Sequence, residues 1–393
     1  VTTAEVVVIG GGVNGASALF HLAQAGVRDI VLVERGHLAA GATGKSGALV
    51  RMHYTNPAET RLAYESLKIF QNWDDIIGGT CGFNPTGFIH VVAPQHEEEL
   101  RAHVAMQREI GVDARIITAQ ELQALEPTCR TDDLTVVAYE PGSGYADPIL
   151  TCYGFVRRAQ DFGARIQTNT TVSGIRTHNG RVIGVDTTVG PIDAPVVVLA
   201  GGAWADRLLL PVGVDLGLTP NRLQVVIFRW PIAFQRGHMT FIDTINHTWF
   251  RPESGNGTLI GAEWIASDDS PDNYRETADP SAVASARARL VARFPAMTEA
   301  PMRGGWSGMV MMSPDGRPII DQIPELPGLF VVAGDSGTSF KTSPAIGKSL
   351  AEWITTGKPE TADLSPFRAA RFAEENPWEN LATYGRVRRT VSR

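Results

Sequence analysis

The stretch EVVVIGGGVNGASALFHLAQAGVRDIVLVE, Glu5 to Glu34, decides the fold. It reads as strand, helix and strand: a β-branched run from Glu5 to Ile9, a helix-compatible run from Val13 to Ala25, and a return to strand from Asp29 to Val33. Gly10, Gly12 and Gly15 carry the spacing GxGxxG at the first junction. Each has its own task there: a tight turn, close approach of backbone N–H groups to a pyrophosphate, and close packing of the helix on the strand. The spacing alone is weak evidence. Here it follows a strand, opens a helix, and is followed 19 residues after Gly15 by Glu34, where a carboxylate accepts hydrogen bonds from a ribose. The helix N-terminus favours a diphosphate, and a carboxylate at Glu34 repels a 2′-phosphate, which disfavours NADP.

NAD and FAD share this fingerprint, so the choice between them rests on the rest of the chain. Arg35 to Ser46 (RGHLAAGATGKS), with Arg35 and Thr43 in it, is rich in Gly and Ala and suits backbone wrapped against an extended ligand. Far along, Val331 to Lys341 (VVAGDSGTSFK) ends a strand in another glycine turn ahead of a helix from Ser343 to Ile354. Glycine-rich turns near both ends of the sequence suit a long cofactor gripped at both ends.

The 393 residues are 43% hydrophobic and 20% charged, which excludes disordered, collagen-like and disulfide-scaffold classes. A net charge of −7 gives no electrostatic reason to expect nucleic acid or an anionic membrane, so a small molecule is the expected partner. The opening apolar run has no basic region before it and ends in glycines, and no other stretch reaches about eighteen uninterrupted apolar residues, so neither a signal peptide nor a membrane span is expected. Cys81, Cys129 and Cys152 have no CxxC spacing, which argues against a disulfide framework and a structural zinc and for a reducing cytoplasm.

Helical patterns cover 58–77 and 97–110, and Thr118 to Glu121 reads as a capping box whose helix Pro127 closes. Asp147-Pro148 starts a further helix running to about Phe162. Short strands fit 87–93, 134–139 and 165–167, and the apolar runs 196–200 and 329–333 belong in a parallel sheet. The runs 222–230, 239–243, 248–251 and 258–264 read as an antiparallel set. The expected fold is mixed α/β: a Rossmann-like FAD-binding domain (1–80, 145–215 and 318–364) interleaved with an antiparallel-sheet substrate-binding domain (81–144 and 216–317). Residues 365–393 are a C-terminal tail whose basic end, 385–393, reads as solvated.

The sequence resembles the D-amino-acid oxidase-like flavoproteins, in particular the sarcosine oxidase and dimethylglycine dehydrogenase branch. The motifs IGGGVNGAS, LVERGHLAAGATGKSGALVR, LAGGAWADRLL, MMSPDGRPIID and LFVVAGDSGTSFKTSPAIGKSLAEWI carry it in order, nearly end to end. The resemblance implies FAD, oxidation of a C–N bond in a small amine bearing a carboxylate, and an imine that water hydrolyses. It implies that Arg51 in GALVRMHY and Lys341 in GTSFKTS hold the substrate carboxylate, in keeping with a bidentate guanidinium fork beside a second cation. It further implies that Gly337 to Phe340 offer backbone contacts to the flavin pyrimidine. For Arg51 a surface ion pair, and for Lys341 a snorkelling helix lysine, are the plain alternatives. Trp204, in the run near the cofactor, serves equally as packing on the sheet.

The departures from the family pattern matter. Gly308 and Lys45 stand where relatives carry a flavin-tethering cysteine or histidine, so non-covalent FAD is expected. Leu259 and Ala48 stand where oxidase relatives place cationic groups, which favours an electron acceptor other than oxygen. Glu263 falls where sarcosine-oxidising relatives have an active-site histidine; it suits pairing with a cationic amine, or is an edge-strand charge. Asp243, His238 and His247 have no recognisable metal spacing. Expected partners are an amino-acid or amine substrate and an electron acceptor, oxygen or another. A homo-oligomer or a partner subunit is open, and neither nucleic acid nor membrane is expected. The competing activities are oxidation of a D-amino acid or cyclic imino acid, service as the flavoprotein subunit of a heteromeric dehydrogenase, and oxidation of a 2-hydroxy acid, for which no base is obviously placed.

Overall fold

Val6, Val7, Val8 and Ile9 are all buried, yet they do not share one core. Val6 and Val8 belong to one apolar cluster, and Val7 and Ile9 to another. The same alternation divides Ile30 and Leu32 from Val31 and Val33, and Phe330 and Val332 from Leu329 and Val331. Strands with a period of two and no polar face must sit in the middle of a layered domain.

The computed structural model describes residues 2–234, 237–261, 265–266, 270–374 and 384. These strands form a six-stranded sheet in the order Ile319–Gln322, Leu329–Ala333, Val196–Leu199, Val6–Ile9, Ile30–Val33, Arg165–Gln167. It is parallel except for the edge strand Ile319–Gln322. One face is covered by helices Val13–Gln24, Pro148–Asp161 and Ser343–Thr356, through residues such as Phe20, Phe155 and Leu350. The other face is covered by a four-stranded sheet built on the hairpin of Val172–His178 and Arg181–Thr187, which supplies Ile175, Val182 and Val185.

The helix starts follow local chemistry. Asp147 Oδ1 accepts from Ile149 N and Leu150 N at 2.8 and 2.9 Å, with Pro148 in the first turn. Thr118 and Glu121 form the reciprocal capping box, opening Ala119–Leu125. The helix expected over 58–77 is two, Pro57–Gln71 and Trp73–Ile76, broken at Asn72.

The large sheet runs Ile265–Ala266, Thr219–Arg229, Gly257–Gly261, Thr248–Glu253, Thr240–Asp243, Phe88–Val91, Val136–Glu140, Arg115–Thr118, and Met302–Met312 also pairs with Thr219–Arg229. It is not wholly antiparallel: Thr240–Asp243 lies parallel to Phe88–Val91. The long chain between those two strands makes the parallel neighbour possible. Val226, Phe228, Phe241, Phe250 and Ile260 face a third core under helix Pro280–Arg293. Among the described residues no helix is long and apolar enough to cross a membrane. Glu263 and the basic run 385–393 lie outside the described residues.

Candidate active site

A cavity of about 620 Å³ lies between the C-terminal ends of the parallel strands and the inner face of the large sheet. Ile9, Gly10, Val33, Glu34, Ala200 and Ala333 line it from the first side, and Leu223, Val225, Ile242, Trp249 and Gly261 from the second.

The glycines divide their work. A Cβ on Gly10, whose φ is +106°, would lie 2.4 Å from the Ala200 carbonyl oxygen, so no side chain fits at the turn. Gly12 caps Val13–Gln24 without a side chain and faces the cavity. Gly15 does not line the cavity; its missing Cβ would meet the Gly10 carbonyl oxygen at 2.0 Å, so it serves the packing of helix on strand. Thr43 lines the cavity and also accepts from Val13 N at 3.0 Å, satisfying a first-turn donor. Asn14 Oδ1, which also lines the cavity, is buried with no hydrogen-bond partner among the described residues.

Glu34 accepts from Gly11 N and from Gly36 N, both at 2.7 Å. The carboxylate thus fixes the glycine turn, and with about four acceptor positions it retains capacity for ribose hydroxyls. Arg35 lies 3.9 Å over the Trp204 ring and pairs with Asp272 at 2.9 Å. Asp272 also accepts from Trp204 Nε1 at 2.7 Å and from Arg207, and these bonds, led by that from Arg35, hold its carboxyl down at about 2. A helix start without a side-chain cap at Gly12, an orphaned amide oxygen and a carboxylate with spare lone pairs suit the diphosphate and ribose of a dinucleotide.

Arg51 and Lys341 come together at Tyr54. Arg51 is 1% exposed and follows strand Leu49–Val50, which is pinned to Gly144–Tyr145. Lys341 is 7% exposed and lies in the turn before Ser343–Thr356, where its Nζ donates to the Thr338 carbonyl at 3.0 Å. Both line the cavity and both address the Tyr54 ring, Arg51 at 4.6 Å and Lys341 at 5.5 Å. Arg51 is therefore no surface residue, and Lys341 is not on a helix face. Gly337, with φ of +75°, and Phe340, packed 5.8 Å from Phe70, line the same wall. They precede the last helix by several residues rather than starting it.

Two cavity groups escaped the sequence reading. Asp335 accepts from Gly337 N at 3.2 Å, and burial raises its pKa against the pull of Lys341. Trp249 closes over Gly47 and Gly261, whose missing Cβ atoms would lie 2.1 and 2.2 Å from the indole. Paired glycines are the only trace of that roof in the sequence, and nothing local links residue 47 to residue 261.

The positions of departure also acquire locations. Gly308 backs onto the Lys45 stem, where a Cβ would meet Lys45 Cβ and Cδ at 3.0 Å. Lys45 Nζ donates to Tyr274 OH at 2.5 Å and Glu276 at 3.0 Å; burial disfavours the charge, but these bonds outweigh it and raise the pKa. Ala48 lines the cavity, whereas Leu259 is 0% exposed, lies between Ile227 and Arg251, and does not reach it.

Residues 5–353 match the model of the family described as DAO, FAD dependent oxidoreductase. The chain belongs to this family of FAD-dependent oxidoreductases. FAD is accordingly the dinucleotide that the cavity serves. The chain is 30% identical to glycine oxidase of Geobacillus kaustophilus, over 93% of this chain and 97% of that protein. It is 26% identical to the mitochondrial sarcosine dehydrogenase of Mus musculus over 94% of this chain, but spans only 42% of that protein's length. The crystal structure of L-proline dehydrogenase from P. horikoshii superposes with a TM-score of 0.88 at 25% identity, covering 95% of this chain and 99% of that one.

Proposed function

We propose that this flavoprotein oxidises the C–N bond of a small secondary or N-methylated, sarcosine-like amino acid whose carboxylate is held by Arg51 and Lys341. The observation that carries this reading is the meeting of these two buried cations on Tyr54 in the wall of the cavity that Glu34 also lines. A guanidinium fork and an ammonium in a desolvated wall recognise a carboxylate far more strongly than they would in water. Their charge also disfavours the protonated form of a nearby substrate amine, so the neutral amine needed for reaction forms without a strong base. Trp249 and Phe340 shield the site from water, and the chain otherwise acts by positioning. FAD supplies the acceptor for the hydride that leaves the carbon next to nitrogen. The resulting imine takes up water and splits into a carbonyl compound and the shorter amine.

Two features support FAD held without a covalent bond: Gly308 has no nucleophile, and the Lys45 ammonium is engaged by Tyr274 and Glu276. Acid precipitation should leave the yellow colour in the supernatant, and a flavin mass on a tryptic peptide would contradict this. Turnover of sarcosine with a dye should yield carbonyl product and reduced dye in equal amounts; dye reduction without carbonyl product would sink the proposed chemistry.

Oxidation of a cyclic imino acid is the second reading, supported by the likeness to L-proline dehydrogenase. The division into a nucleotide part (1–80, 145–215, 318–364) and a substrate part (81–144, 216–317) is our proposed domain organisation, supported by how strands are shared between the two main sheets. We place the working protein in the cytoplasm, a reading supported by three buried, unpaired cysteines.

A further inference from the structure

Next to Arg51, among residues that do not line the cavity, lies a buried polar network that the proposed chemistry does not use. His53 is fully buried, with its Nδ1 2.9 Å from Gln107 Oε1 and its Nε2 2.7 Å from the hydroxyl of Tyr384. Gln107 Nε2 donates to Glu140 Oε1 at 2.7 Å, so Gln107 Oε1 is the acceptor for His53 Nδ1–H. That leaves the His53 Nε2 lone pair to accept from the Tyr384 hydroxyl. The phenolic oxygen in turn accepts from His103 Nδ1–H at 2.6 Å. Direction therefore runs one way through the chain, from His103 through Tyr384, His53 and Gln107 to Glu140.

Two members of this chain, Glu140 and His53, bear on Arg51 and the residue after it. Glu140 Oε2 accepts from the backbone N–H of Met52 at 3.0 Å and from Ser143 Oγ at 2.6 Å. The His53 backbone carbonyl accepts from Arg51 Nη1. The residues immediately after Arg51 are thus held by backbone N–H and by ring, and the carbonyl that orients the guanidinium belongs to the residue whose ring Tyr384 grips. Tyr384 lies 331 positions from His53 in sequence, so the hold is a long-range one.

We propose that Tyr384 is a positioning residue: by fixing His53, and through it the carbonyl that orients Arg51, it sets the site's affinity for a carboxylate from 331 positions away in sequence. This inference rests on the reading of Arg51 as a carboxylate ligand. Loss of one buried hydrogen bond between neutral groups corresponds to an effect of about three- to tenfold.

The test uses acetate as the probe, titrated into the FAD-loaded full chain and followed by the flavin absorbance without turnover. Tyr384→Phe, which keeps the ring, should weaken acetate binding about three- to tenfold and raise KM for sarcosine more than it lowers kcat. His103→Phe, which removes the donor to the phenol, should do the same to a smaller degree. Unchanged acetate affinity in both variants, or a loss of thermal stability with no change in acetate affinity, would overturn the proposal. Arg51→Ala separates the two claims. If acetate binding vanishes there but is untouched in Tyr384→Phe, the network idea fails alone; if Arg51→Ala binds acetate normally, the carboxylate reading fails and the inference with it.

Discussion

Arg51 shows what a single residue contributes and how far it can be read in advance. Its type and neighbours suggest a cation for a carboxylate only through the resemblance of GALVRMHY to the family pattern; charge and spacing alone leave a surface ion pair open. Burial at 1% exposure and the shared Tyr54 ring remove that alternative. Arg51→Ala should lose about 2 to 5 kcal/mol of substrate binding, the cost of a truncated buried charge contact, while the flavin spectrum stays intact. Steady-state kinetics matching the wild type would remove Arg51 from the site. The sequence suggests Glu34 as a ribose acceptor but gives no sign of its grip on Gly11 N and Gly36 N, because both partners are backbone groups set by the turn. Glu34→Ala should therefore weaken FAD by about 1 to 3 kcal/mol, through loss of both ribose bonds and turn geometry. Equilibrium titration of apoprotein with FAD measures it, and an unchanged dissociation constant would count against the assignment. Asp335 and Trp249 were illegible for a common reason: their roles arise from contacts made after the chain has folded.

At the scale of elements, the strand–helix–strand opening was readable because every local signal agreed: β-branched runs, glycines at the junction and a helix period between them. Strand Met302–Met312 went unassigned because Gly304, Gly305 and Gly308 interrupt its apolar pattern, although it pairs along nearly the whole of Thr219–Arg229. The hairpin of Val172–His178 and Arg181–Thr187 did carry its signal, Asn179-Gly180, with both residues at positive φ. Gly347, by contrast, looks like an ordinary helical glycine. Its importance is tertiary: a Cβ there would stand 2.2 Å from Ser17 Oγ and 2.7 Å from Ala18 N, at the crossing of Ser343–Thr356 with Val13–Gln24. Gly347→Ala should thus destabilise by about 1 to 3 kcal/mol despite the better helix propensity of alanine. A thermal midpoint equal to or above the wild type would mean that the two helices separate without strain.

For the whole molecule, acid sensitivity follows from imidazoles buried in neutral form. Burial lowers His21 to about 3 and His238 to about 4, and holds His53 and His90 well below their ordinary value of 6.5. Below pH 6.5 the unfolded chain binds protons that the folded one refuses, so this stability is complete above 6.5 and drains away as pH falls, by up to about 1.4 kcal/mol per pH unit for each group. Glu140, Asp206, Asp321 and Asp335, raised by burial, act in the opposite sense, but from ordinary values of 3.8 to 4.5 and so mainly at lower pH than the histidines. The thermal midpoint with saturating FAD should fall between pH 7 and pH 5, and a flat profile would contradict the neutral histidine core. The central claim is that one cavity joins a dinucleotide grip at Glu34 to a carboxylate clamp at Arg51 and Lys341, so that an amino acid reduces the bound flavin. An anaerobic titration of the FAD-loaded protein with sarcosine, dimethylglycine, L-proline and D-alanine, with lactate as control, tests it most directly. Bleaching of the oxidised flavin by an N-alkylated or cyclic amino acid and not by lactate is the predicted result; bleaching by lactate alone, with every amino acid inert, would contradict it.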